Sequence, residues 1–473
     1  MLLRRALVCA TVYGALTLAS PSASRAVPVR GSIPWDFIAC SFSDTGFEPY
    51  PISNLQARLL SNSPGSLADW ISSTSYGAAN LGGVTLRGYY TINETGAQAQ
   101  TDENNGRGAV YGQCKQAAAN GNGNAAFSQS GGRGLSVITW PSVDTYGGIG
   151  ESFDGANQPV GEFAHEFGHG LGLNHSWSND SKTTVNANGD YDNQWDTMSY
   201  ANVFSASAIP DNQYGGGPGL DAYHRDFLGW LPMSRTFSFG SDGVTKKNVT
   251  LAALNDSSAT GYLLVRVPVD RSNPLHYFTV EYLTATGYYS GIPGPVVQIN
   301  EVNQIGNVLV REGVAGAQTG GYYTTILERT PGSHPAAGDG GLDNYYKGPG
   351  FKISVVRTNG NQATVSIADT AVTRAQAASV YGPNTCVEGY VWRSADDLDY
   401  VCVAPSERAQ ALSDDAAAPS RHLPGSKTCK QGYVWRQAFP NDFACVVPAQ
   451  RNQAAQDNAN TASRYVIPLD SNT

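Results

Sequence analysis

The chain has 473 residues, 41% of them apolar and only 15% charged, with a formal net charge of −9. That composition supports a large buried core divided over two or three domains and excludes a disordered or fibrous chain. Lysine and arginine are scattered without a basic run, so neither nucleic acid nor an anionic membrane is an expected partner, and proteins and glycans remain.

The first residues, MLLRRALVCATVYGALTLASPSAS, set Arg4 and Arg5 before an apolar stretch from Ala6 to Ala19 and then small residues. This is the pattern of a secretory signal, assigned to residues 1–24. The stretch is short for a bilayer span, and no later segment is long and apolar enough to make one. A secreted, extracellular product is therefore expected. Cys9 would leave with the signal, and the remaining even set of cysteines in an exported chain implies disulfides.

Residues 27–235 mix strand-like runs (WDFIACSF, LSVITW) with helical stretches around Ser66 to Thr74 and Val160 to Leu171. An α+β domain is expected there. From 248 to 367 short runs alternate apolar and polar positions, among them YLLVRVPV, YFTVEYL, FKISVV and ATVSI, with Asn359-Gly360 as a turn between the last two. This is an all-β sandwich pattern, assigned to residues 236–370.

The tail is duplicated. Residues 385–421 match residues 428–464 at a constant offset of 43, and each copy sets two cysteines 16 positions apart around Gly-Tyr-Val-Trp-Arg. Two small β modules follow, each stapled by its own disulfide because so little apolar mass cannot hold a core, with a polar helix or linker after each. Cys386 is then expected to pair with Cys402 and Cys429 with Cys445, leaving Cys40 for Cys114.

Three of the chain's seven histidines fall in HEFGHGLGLNH, residues 165–175. At 100° per residue, Val160, Phe163, Ala164, Phe167 and Leu171 share one face of a helix, with His165, His169 and Glu166 opposite. The i, i+4 spacing brings two imidazoles to one ion, with Glu166 beside it but angled away from ligation. Gly172 can adopt the left-handed conformation that ends a helix, so the chain turns and returns His175 as a third ligand. Three neutral histidines suit one Zn2+ per chain with water in the fourth position, and Glu166 would take a proton from that water.

HExxHxxGxxH with a downstream methionine turn resembles the metzincin zinc peptidases. The resemblance gives Met198, in WDTMSY 23 residues after His175, the place of the methionine packed beneath the zinc ligands. It also gives Tyr200 the place of the tyrosine that binds zinc or stabilises the oxyanion in astacin-like and serralysin-like members. The approach DYDNQWDTMS, the segment GLDAYHRDFLGWLP and the following β-rich run are similar to secreted gametolysin-like and immune-inhibitor-A-like peptidases. What this implies is a zinc endopeptidase acting on a protein or peptide, such as an extracellular or cell-wall glycoprotein, with tail modules that hold a surface ligand. The alternatives are an adhesion protein on the same scaffold, and a zinc hydrolase of glycoconjugates. Asp180, Asp190, Asp192 and Asp196 could bind Ca2+, but without EF-hand spacing they read as a solvated loop.

Overall fold

The computed structural model describes residues 28–178, 191, 193–204, 216–269, 275–305, 308–309, 323–327, 345–348, 350–369 and 382–466. The expected signal segment, and Asp180, Asp190 and Asp192, lie outside the described residues. None of the helices described is long and apolar enough to cross a membrane. Helix and strand are mixed, as in an α+β chain.

The first sheet has five strands: β1 (Trp35–Phe42), β2 (Leu86–Ile92), β3 (Gly134–Trp140), β4 (Tyr146–Gly148) and β5 (Glu151–Gly155), in the order β2-β1-β3-β5-β4. All neighbours are parallel except the edge strand β4, which runs antiparallel to β5. The interior strand β1 is buried along its whole length, and its side chains alternate between two cores. Trp35, Phe37 and Ala39 pack with Trp70, Phe163 and Phe167 on one face, whereas Ile38, Cys40 and Phe42 pack with Val110, Cys114 and Ala118 on the other. The Cys40–Cys114 disulfide, with Cα atoms 5.9 Å apart, joins the strand to the helix Ala109–Asn120.

Two further sheets share one core. One carries Lys246–Ala252, Phe351–Asn359 and Gln362–Asp369, with the Asn359 turn in its hairpin. The other is ordered Trp177–Ser178, Tyr323–Leu327, Val296–Ile305, His276–Leu283, Leu264–Pro268 and Thr236–Ser238. Between them lie Val249, Val265, Phe278, Val280, Ile299, Ile353, Val365 and Ile367. The two-residue strand Trp177–Ser178 begins just after His175 and pairs with Tyr323 and Thr324, so the β-rich half borders the histidine cluster directly.

In the tail, Cys386 bonds to Cys402 and Cys429 to Cys445. The polar segments after each hairpin are helices, Pro405–Arg421 and Pro448–Asn460, and they are exchanged. Arg421, at the end of the first copy's helix, donates to the Cys445 carbonyl of the second copy, and Arg464 donates to Cys402 of the first. Arg393 reaches Ala454 and Asn458, and its counterpart Arg436 reaches Ala411 and Asp415. Every one of these contacts repeats at the offset of 43, so each hairpin is covered by the other copy's helix and not, as a self-contained module would be, by its own. The tail is also docked onto the rest of the chain through Tyr400, whose hydroxyl donates to Leu231 O at 2.6 Å.

Candidate metal centre

The helix Val160–Gly170 positions the site. Its C-terminus closes through Gly172 N–H to His169 O (2.8 Å) and Leu173 N–H to Gly168 O (3.0 Å), with Gly172 at φ 86°. That is the two-bond closure a left-handed glycine permits. The chain reverses and His175 returns.

Val160, Phe163, Ala164, Phe167 and Leu171 are buried as the periodicity requires. His165 and Glu166 are buried as well, at 4% and 5% exposure, while His169 is half-buried, so only part of the chemical face is open. The helix is covered by the turn Thr197–Asn202, which places Met198 against Gly168: a Cβ on that glycine would stand 2.6 Å from Met198 Sδ. Only a residue without a side chain lets the methionine lie this close under the ligand helix.

His165 Nε2 and His169 Nε2 face each other at 3.1 Å, and the ligand atoms of His165, His169 and His175 all lie within 4.8 Å of one another. The other ring nitrogens of His165 and His169 are fixed. His165 Nδ1 donates to Thr197 O at 3.1 Å and His169 Nδ1 to Leu173 O at 2.7 Å; a carbonyl can only accept, so the protons sit on Nδ1 and the Nε2 lone pairs converge. Burial, reinforced by the neighbouring histidines, holds both imidazoles below their ordinary pKa, His169 at about 3. Three histidine nitrogens gathered within 4.8 Å of one another, those of His165 and His169 uncharged, are the donor set of a zinc site.

Burial, then the nearby Glu162, pushes Glu166 up to about 8, with Arg107 opposing. Arg107 reaches over the Tyr146 ring of the edge strand at 4.8 Å and pairs with Asp144 at 2.7 Å. The side chain of Tyr200 lies outside the described residues, although its backbone belongs to the turn Thr197–Asn202. Tyr191 does stand at the cluster, its hydroxyl 2.8 Å from His175 Nε2. Sequence reading passed over Tyr191, yet it is the sole aromatic residue between Trp177 and Trp195.

Asp196 is not part of a solvated loop. It is fully buried beneath the cluster and accepts from Ser176 Oγ, from Met198 N (3.2 Å), from Asp221 N (2.9 Å) and from His224 Nδ1 (3.0 Å). Burial alone would lower the His224 pKa, but the Asp196 and Asp221 carboxylates outweigh it and raise it; His224 in turn holds Asp196 low against its own burial. Asp196, Asp221 and His224 could also be counted as three metal donors. Their hydrogen bonds to one another and to the backbone tie them into one buried charged network.

Residues 88–215 match the family of reprolysin-like M12B metallopeptidases, which places the helix, the three histidines and the methionine turn within a metallopeptidase-like segment. A solved structure of catalytically inactive OgpA from Akkermansia muciniphila, in complex with an O-glycopeptide (glycodrosocin), is similar at 12% identity and a TM-score of 0.26, over 73% of this chain and 96% of that one. No curated protein matches the chain.

Proposed function

We propose that this protein is a secreted zinc endopeptidase of the metzincin type, nearest in character to the gametolysin-like and immune-inhibitor-A-like peptidases. The observation that carries this is the convergence of the His165, His169 and His175 ligand atoms, all within 4.8 Å of one another, beside a buried glutamate on the ligand helix. His165, His169 and His175 would hold one zinc, which when bound polarises the scissile carbonyl and acidifies a water. Glu166 takes the proton from the attacking water. As the carbon–nitrogen bond breaks, it passes that proton to the departing amine. The half-buried edge strand β4 lies beside the ligand helix and offers backbone groups to an extended substrate. Tyr200, with Tyr191 beside His175, supplies hydroxyls for the developing oxyanion.

On this reading residues 27–235 form the catalytic domain, 236–370 a β-sandwich, and the two copies 385–421 and 428–464 a unit that holds a surface ligand. The substrate is an extracellular protein or peptide, such as a cell-wall glycoprotein. Incubating the purified protein with casein, with and without a chelator, and sequencing the fragments by mass spectrometry tests the assignment. Cleavage should stop with chelator and in Glu166→Ala. Cleavage indifferent to both would remove the metallopeptidase reading.

A further inference from the structure

The duplicated tail presents the same face twice and uses it differently on its own chain, through polar pairs in the first copy and, in the second, through Phe439 beneath Arg30 and Pro440 against Gly31. In the first copy this face is a docking surface. Asp396 pairs with Arg30 at 2.6 Å, and Asp397 accepts Met233 N on its carbonyl (2.8 Å) and Ser234 N on its carboxylate (2.9 Å). Tyr400 completes the set through Leu231 O. At the offset of 43 these three positions become Phe439, Pro440 and Phe443. Each polar anchor has been replaced by an apolar ring, so the second copy's face cannot hold a polar peptide segment as the first does.

That second face opens on a depression of about 450 Å3, lined among others by Trp435, Gln437, Phe439, Asn441 and Phe443. Trp435 is 37% exposed, and its ring packs edge-on against Phe443 at 5.0 Å. Gln437 and Asn441 are exposed and sit in left-handed turns, at φ 56° and 66°, which fix where their carboxamides begin. We propose that this depression is a binding site for a neutral carbohydrate, with the C–H face of a sugar ring on the exposed aromatic surface and its hydroxyls on the Gln437 and Asn441 carboxamides. A carboxamide both donates and accepts, as a sugar hydroxyl does.

Two other ligand classes fit less well. A proline-rich peptide needs ring donors for its carbonyls, and the Trp435 Nε1–H is spent on Lys427 O at 2.6 Å. An anion needs an open cation, whereas both ends of the Arg30 guanidinium are on Asp396, its face is over the Phe439 ring at 4.4 Å, and the Lys427 ammonium lies over Phe443 at 4.6 Å.

The site rests on the reading that the tail holds a surface ligand and is independent of the peptidase chemistry. The test is titration of the full chain with neutral hexasaccharides of glucose, N-acetylglucosamine, xylose and mannose, followed by tryptophan fluorescence and calorimetry, with a polyproline peptide as comparison. At least one saccharide should bind. Trp435→Ala should weaken that binding by roughly tenfold or more. Asn441→Gly, which keeps the left-handed backbone, should weaken it without changing the melting temperature, and peptide turnover should be unchanged in both. If a saccharide binds and both variants bind like the parent, the depression is not the site, although the surface-ligand reading survives. Binding of the polyproline peptide alone makes the face a peptide groove and overturns the carbohydrate assignment. If no probe binds, the site and the surface-ligand reading fall together, and casein cleavage still stands or fails by itself.

Discussion

His224 Nδ1 donates to Asp196 Oδ2 at 3.0 Å beneath the histidine cluster, and through this pair the two ends of the site are tied together. Asp196 holds Ser176, the residue after His175, and the backbone of Met198, while Ser176 N bonds to Met198 O at 3.1 Å. His224 is also hydrogen-bonded to the backbone of Asn174, on the other side of His175. Asn300 of the β-rich half reaches Asp221 at 3.2 Å, so the second sheet braces the same network.

This pair should therefore set metal affinity without touching the metal. Asp196→Asn should weaken zinc binding by about 10–100-fold in a chelator competition, the usual cost of losing an outer partner of the ligands. His224→Gln, which keeps a donor, should recover part of that affinity relative to His224→Ala. Equal zinc affinity in all the folded variants would reduce the pair to ordinary packing.

The ligands themselves give a sharper expectation. The wild-type chain should carry about one zinc by atomic emission, and alanine at His165, His169 or His175 should each lower that content. Glu166→Ala should keep the zinc and lose about 10²–10⁴ in turnover, because only the proton acceptor is removed. Full zinc occupancy in His175→Ala would show that the returning segment is not a ligand arm.

Tyr191 and Tyr200 can be separated by kinetics. A hydroxyl that stabilises the oxyanion acts in the transition state, so its loss lowers kcat with little change in KM. Tyr191→Phe and Tyr200→Phe should show which residue has that signature. If neither lowers kcat, the oxyanion is held without a tyrosine.

The sequence made the ligand helix legible because its signals are local. Apolar spacing, histidine spacing and Gly172 all act within one turn of each other, and the strands of the β-rich half were legible through period-two alternation. The helices Gly96–Asn105 and Ala109–Asn120 were less so, because their Ala, Gln and Asn content gives little amphipathic contrast. The Thr95–Gln98 capping box was the available cue for the first of them. Asp196, Asp221 and His224 were not legible as a unit, since a buried network formed between residues 25 and 28 positions apart leaves no periodic trace. The exchanged tail helices were hidden for a related reason: a duplication specifies the same contacts whether each helix covers its own hairpin or its neighbour's.

Glu281 gives a stability prediction. It is fully buried, accepts Ala222 N–H on one oxygen, has no partner for the other among the described residues, and is raised by burial to about 8 from an ordinary 4.5. The folded chain keeps this proton up to about pH 8, whereas the unfolded chain releases it near 4.5. Its stabilising contribution is therefore complete below 4.5 and is lost as the pH rises through about 8. Glu281→Gln should become progressively more stable relative to the parent between pH 5 and 8, by at most about 1.4 kcal/mol per pH unit. A constant difference in denaturant midpoints across that range would show that Glu281 is ionised throughout.

The exchanged helices predict that the tail melts as one unit. Arg436 lies 3% exposed between Asp442 of its own hairpin and Asp415 of the other copy's helix, at 2.8 and 2.6 Å. Removing it strands a buried Asp442, a loss of about 3–5 kcal/mol for a broken buried pair. Because the first copy's helix is anchored on that arginine, Arg436→Ala should loosen both copies. The symmetric Arg393→Ala should do the same, since Arg393 binds Asp399 and reaches Asn458 of the second helix. Limited proteolysis of the two variants, with cut sites assigned by mass spectrometry, reads this directly. Cleavage in both helices from either substitution is the expected result, and cleavage confined to the substituted copy would mean that each hairpin holds its fold without its partner's helix.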